Sequence, residues 1–169
     1  MFPQKIEQVA FRCLVPELAI ARYKQIGCKD WVTDTVVAEG VLLGRPFTCT
    51  ADLYFNYDLG YELEILKYHD FSESWHDYRT PLKNESDLVL SHMALHCVEK
   101  EVLAITLQMA TIGCPIIQSV KTTSHTNSHI KDERRYRYVI FDSQHKLGFD
   151  LKLIQRLNMD YTPYIKPLG

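Results

Sequence analysis

The stretch Gln8-Val9-Ala10-Phe11-Arg12-Cys13 returns at an offset of 84 as His92-Met93-Ala94-Leu95-His96-Cys97. Both segments read polar, apolar, Ala, apolar, polar, Cys, the alternation of a half-buried strand. Working outward, each is followed by a helical stretch that closes on Gly-Cys: Glu17 to Ile26 before Gly27-Cys28, and Glu99 to Ile112 before Gly113-Cys114. Glycine at such a place suits a left-handed helix end. Three strand-like segments then follow in each half. They are Trp31 to Ala38, Phe47 to Phe55 and Tyr61 to Tyr68, and later Ile116 to His125, Arg134 to Phe141 and Phe149 to Arg156. The offset grows to 88 between Gly60 and Gly148, as small loop insertions would produce. A repeat of this kind predicts an α+β fold. Two βαβββ modules, about 6–68 and 89–157, form one curved mixed sheet, a cup, with the helices outside. The polar segment 69–88, which contains Pro81, is the expected linker.

The rest of the composition narrows the field. At 169 residues the chain is long enough to bury a core without staples. Its 19 Lys+Arg against 21 Asp+Glu leave a formal charge of −2, which argues against nucleic acid as a partner. Five cysteines, an odd number with no Cys-x-x-Cys pair, exclude a disulfide scaffold or a zinc ribbon. The run Val102 to Val120 is uncharged but is broken by Gly113-Cys114-Pro115, so it predicts a helix, a turn and a strand rather than a membrane span. Met1 to Ala10 shows no signal-peptide pattern, and a cytoplasmic location is the expectation.

Strand parity then separates two faces. One carries Gln8, Arg12, Glu62, Glu64, His92, His96, Asp150 and Lys152; the other carries Val9, Phe11, Cys13, Leu63, Ile65, Met93, Leu95, Cys97, Leu151 and Leu153. The apolar face packs on the helices, and the polar face lines a concavity. Among other residues, His125 sits at a strand end beside a polar loop. Lys131, Arg134, Arg135 and Arg137 form a basic cluster, either a contact for an anionic substrate or, more often for such clusters, a solvated strand edge. Tyr54, Tyr57, Tyr136 and Tyr138 either line the cup or pack. Cys13 and Cys97, on the apolar face, make poor nucleophiles.

The paired modules, with Gln8-Val9-Ala10-Phe11, His92-Met93-Ala94-Leu95 and Gly60-Tyr61-Glu62-Leu63-Glu64-Ile65, resemble the vicinal oxygen chelate superfamily. That group includes glyoxalase I, extradiol dioxygenases, methylmalonyl-CoA epimerase and bleomycin-resistance proteins. The resemblance implies one divalent metal (Zn, Ni, Mn or Fe), with ligands at Gln8, His92 and Glu64. It places the fourth ligand at Lys152, and a charged lysine cannot be one. An ammonium about 4 Å from a monovalent cation costs roughly 4 kcal/mol at an effective dielectric of 20, and about twice that against a divalent one.

Two functions compete on these grounds, beside a third, metal-free catalysis with Lys152, His96 or His125 as the acid–base group. One is a glyoxalase- or dioxygenase-like enzyme acting on a small oxygen-rich molecule. Its metal would sit on Gln8, Glu64 and His92, with Glu62, His96 or His125 moving protons and Arg12, Asp150 and Lys152 binding the ligand. The other is a metal-free module of the same fold that binds or sequesters a small molecule. Open sheet edges and the habit of relatives suggest a homodimer.

Overall fold

The structure, a computed structural model, describes residues 5–69, 80–124 and 134–157. Strand β1 (Gln8–Arg12) leads into helix α1 (Pro16–Gln25), followed by β2 (Val32–Leu42), β3 (Arg45–Asn56) and β4 (Glu62–Tyr68). The second module repeats the order with β5 (Val89–His96), α2 (Glu99–Thr111), β6 (Ile116–Ser124), β7 (Arg134–Phe141), the single turn α3 (Gln144–Leu147) and β8 (Leu151–Arg156). Proline at the first turn opens α1, and the Glu101 carboxylate accepts from the Val98 N–H at the start of α2. Both helices end before glycines of positive φ, 105° at Gly27 and 78° at Gly113, as the Gly-Cys pairs predict.

The strand pairing shows the repeat in register. Val9 faces Leu63 across the parallel β1–β4 pair, and Met93 faces Leu151 across the parallel β5–β8 pair. Between the modules, β1 and β5 run antiparallel with Val9 opposite Met93, Gln8 opposite Ala94 and Ala10 opposite His92. A pseudo-two-fold axis therefore passes beside Val9 and Met93 and exchanges Gln8 with His92, Glu62 with Asp150, and Glu64 with Lys152.

Two features differ from the sequence expectation. Strands β2 and β3 run on into a tight hairpin in which Leu43 and Gly44 have φ of 50° and 77°, so the segment between Ala38 and Phe47 is strand rather than loop. The sheet is also closed: β2 pairs with β6, giving the ring β1-β4-β3-β2-β6-β7-β8-β5. The signal was Gly40, inside the Val-rich β2. A Cβ there would lie 2.1 Å from the Ser119 carbonyl oxygen, so only glycine admits β6 at this approach. Closure leaves the described strands without an open edge, which removes the edge argument for a homodimer.

Apolar residues form three clusters. Cys13, Ala19, Cys28, Leu63 and Ile65 pack beneath α1, and Leu95, Cys97, Ile105, Met109, Leu151 and Leu153 beneath α2. The third, with Ala10, Val36, Ala38, Cys49, Leu66 and Val120, fills part of the ring's interior. The uncharged run from Val102 divides between α2 and β6. Among the described residues no helix is long and apolar enough to cross a membrane.

Candidate functional site

The ring holds a partly open cavity of about 80 Å³. One wall is apolar and aromatic, with Val36, Leu53, Phe55, Tyr136, Tyr138 and Ile154. The other is supplied by the four strands around the pseudo-axis: Gln8 from β1, Glu62 and Glu64 from β4, His92 and His96 from β5, and Lys152 from β8. The period-two alternation of these strands turns all six side chains inward, while their neighbours Leu63, Ile65, Leu151 and Leu153 meet the helices.

Hydrogen bonds tie the polar wall into one chain. Ser91 Oγ lies 3.0 Å from His92 Nδ1, and His92 Nε2 lies 3.0 Å from Gln8 Oε1. Gln8 Nε2 donates to Glu62 Oε1, and the Tyr57 hydroxyl donates to Glu62 Oε2 at 2.6 Å. With the Gln8 amide turned this way, the proton of His92 sits on Nε2, and Nδ1 accepts from Ser91. Burial, and then the nearby Lys152 charge, hold the His92 imidazole well below its usual pKa, so it is neutral at neutral pH. Its approach to Glu64 Oε2, 3.3 Å, is therefore not an ion pair there.

Lys152 is the cation at the centre. Its Nζ stands 3.2 Å from His92 Nε2, and that nitrogen's proton is turned to Gln8, so the imidazole offers the ammonium no lone pair. Instead the ammonium sits 4.5 Å from the Tyr138 ring centroid, a cation–π contact, and feels the carboxylates of Glu64 and Glu62. Burial lowers the Lys152 pKa, with Glu64 and Glu62 opposing that shift. Burial raises that of Glu64, with Lys152 and His96 opposing it. Glu64 is 2% exposed, and its Oε2 accepts no hydrogen bond. His96 is also lowered, first by burial. The Tyr138 phenol, pushed well above its usual range by burial, is a neutral hydroxyl that accepts from Gln118 Nε2 at 3.0 Å.

The residues fit a metal poorly. Gln8 Oε1 and Glu64 Oε2 both approach His92 Nε2, but Lys152, at the position the resemblance gives to the fourth ligand, brings an ammonium 3.2 Å from the same nitrogen. A divalent cation about 2 Å from His92 Nε2 would lie no more than about 5.2 Å from that ammonium, where the two charges repel strongly. Among the described residues no group of three or more His, Cys, Asp and Glu side chains could hold a metal ion.

Two proposed ligand-binding residues lie elsewhere. Arg12 is on the inward parity but at the far end of β1, where its guanidinium donates to the Thr80 carbonyl at 2.6 Å. Asp150 accepts from the backbone N–H groups of Ser143 and Gln144, both at 3.2 Å, and closes the turn before β8. Neither lines the cavity. Parity gives a side chain's face, not its depth in the ring or its local competitors. His125 and Lys131 lie outside the described residues, while Arg135 and Arg137 are exposed. Of the tyrosines, Tyr136 and Tyr138 line the cavity, Tyr57 holds Glu62, and Tyr54 packs in the cluster under α1. Burial pushes the Cys13 thiol up to about 11 and that of Cys97 to about 12, so neither is a thiolate at neutral pH. Ser91, which orients His92, escaped the parity argument because it sits on the outward face.

No protein-family model matches the chain, and no curated protein does. Solved structures do. A hypothetical protein from Bacillus halodurans C-125 superposes with a TM-score of 0.52 at 8% identity, covering 94% of this chain and 98% of that one. Methylmalonyl-CoA epimerase from Mycobacterium tuberculosis gives 0.48 at 12% identity, over 90% and 87% of the two chains. A mutant of 4-hydroxymandelate synthase from Streptomyces coelicolor gives 0.47 at 10% identity, over 95% and 51%. At such identities the likeness concerns fold and not activity. With the two modules in matching register about a pseudo-two-fold axis, the chain has the paired βαβββ fold expected from its resemblance to the vicinal oxygen chelate superfamily.

Proposed function

We propose that this chain is a metal-free receptor for a small, uncharged, oxygen-bearing organic molecule. The observation that carries the reading is Lys152 Nζ, 3.2 Å from His92 Nε2 in the place of a fourth metal ligand. Ligand chemistry follows from the walls. Two carboxyl groups, Glu62 and Glu64, face one amine, and the histidines are neutral, so the cavity has no surplus positive charge to attract an anion. Its 80 Å³ is far below the roughly 300–1,000 Å³ of a drug-sized site, so it suits a few heavy atoms or the head of a larger molecule. An oxygen would meet Lys152, and a short hydrocarbon end would meet Val36, Leu53 and Phe55.

A second reading, a metal-dependent glyoxalase- or dioxygenase-like activity, is favoured by one observation. Gln8 Oε1 and Glu64 Oε2 lie 3.0 and 3.3 Å from His92 Nε2, spacings compatible with ligands that share an ion. The substitution Lys152→Glu separates the two. Calorimetric titration should show the variant binding Zn²⁺ or Ni²⁺ at least tenfold more tightly than the parent, a change of about 1.4 kcal/mol. A parent protein that purifies with one tightly held metal ion per chain would overturn the receptor reading.

A further inference from the structure

The geometry points to Lys152 as a site of covalent carbonyl capture, in which its amine condenses with a small aldehyde or ketone to form an imine inside the ring. This inference rests on the receptor reading and narrows its ligand to a carbonyl compound. Three observations converge on it. First, Lys152 lines a partly open cavity whose opposite wall is apolar, where a short-chain carbonyl compound can lay its hydrocarbon end. Second, the amine is not locked in a hydrogen bond to the imidazole, because His92 Nε2 turns its proton to Gln8 Oε1. Third, Glu64 Oε2 is buried, accepts no hydrogen bond, and approaches the same His92 nitrogen as Lys152. Both groups lie within 3.3 Å of that nitrogen, so one bridging water can carry a proton from the ammonium to the carboxylate and back.

The step balances without a redox partner. Through that water the ammonium gives one proton to Glu64, and the nitrogen lone pair forms a bond to the carbonyl carbon. The C=O π pair moves to oxygen, which takes a proton from the new ammonium and becomes the hydroxyl of a carbinolamine. Glu64 returns its proton to that hydroxyl, the C–O bond breaks, and water leaves as the nitrogen pair forms C=N. Carbonyl compound and lysine ammonium thus become a protonated imine and one water. The resulting cation keeps the carboxylate and the Tyr138 ring as neighbours, as the ammonium had them. Buried lysines beside a proton acceptor are the general setting for this chemistry.

Reductive trapping tests the inference on the full chain. The protein is treated with limiting butanal and cyanoborohydride, and butylation of each lysine is followed by peptide mass spectrometry. Lys152 should be labelled at least tenfold faster than exposed Lys100 and Lys121, and Glu64→Gln should remove that advantage while leaving the two surface lysines unchanged. Labelling of Lys152 at or below the surface rate in the unsubstituted protein would overturn it, whether or not the variant folds. Saturation-transfer NMR with butan-1-ol, which cannot condense, is run in parallel. If butanol binds and Lys152 is not selectively labelled, the receptor stands and the imine falls. If neither probe binds nor labels, both fall.

Discussion

The two modules present equivalent carboxylates to different fates. Glu62 and Asp150 occupy the same pseudo-symmetric position, two residues after Gly60 and Gly148, and both are buried. In the first module the preceding turn supplies a side chain, Tyr57, whose hydroxyl reaches forward and holds Glu62 in the cavity beside Gln8. In the second module the turn is the short helix α3, whose Ser143 and Gln144 N–H groups draw Asp150 to the backbone. Two residues further on the divergence becomes one of charge, Glu64 against Lys152. The backbone has kept its symmetry, and the turns and one substitution have made a site with a polar wall of mixed sign.

Breaking the charge contrast should have the largest effect. Glu64→Gln leaves the Lys152 cation in the ring with less compensation, and urea unfolding should show a loss of about 3 kcal/mol. The double variant Glu64→Gln, Lys152→Met removes both charges and should recover most of that loss. A double variant as unstable as the single one would mean that the two side chains do not compensate each other.

The two turn-fed carboxylates come next. Asp150→Ala strips one buried and one partly buried N–H group of their acceptor and should cost about 2 kcal/mol by the same measurement, with Asp150→Asn recovering about half. Glu62→Ala should cost only about 1 kcal/mol, because Gln8 and Tyr57 can turn to water in the cavity. Equal losses would erase the distinction between a carboxylate that closes a turn and one that faces a ligand.

A smaller, pH-dependent effect sharpens the contrast between Gln8 and its counterpart His92, since only the latter titrates. The folded protein holds His92 neutral well below the ordinary value of 6.5, so the unfolded chain takes up the proton first as pH falls. The stability contributed by the neutral imidazole is present above about 6.5 and is lost below it, at no more than about 1.4 kcal/mol per pH unit. Glu64, with its pKa raised, contributes in the opposite sense, losing stability as pH rises past its ordinary 4.5. Comparing His92→Asn with the parent between pH 7 and about 5.5 isolates the imidazole, and the variant should show the shallower decline. Parallel pH profiles would mean that His92 is not held neutral.

Much of this was legible in the sequence because it depends on period and offset. The spacing of 84 between Gln8 and His92 fixed which strands meet at the axis, and the alternation fixed which side chains turn inward. What escaped was set by local competition or by the third dimension. Parity turns Asp150 toward the cavity, but the N–H groups at the start of α3 hold it at the turn. Arg12 has the inward parity but lies at the other end of the ring. Lys152 was read as a misfit in a metal site. Its place over the Tyr138 ring could not be read from spacing, because that contact depends on how two side chains lie on the neighbouring strands β7 and β8.

Gly40 carries one more consequence. An eight-stranded ring has an interior just wide enough for side chains, and its girth here depends on β2 and β6 meeting where a single added carbon would strike the Ser119 carbonyl. The gauge of the cavity therefore has an address outside the residues that line it. Lineages that replaced this glycine would loosen the seam and admit bulkier guests without altering one atom of the polar wall, so ligand size and ligand chemistry can evolve on separate strands.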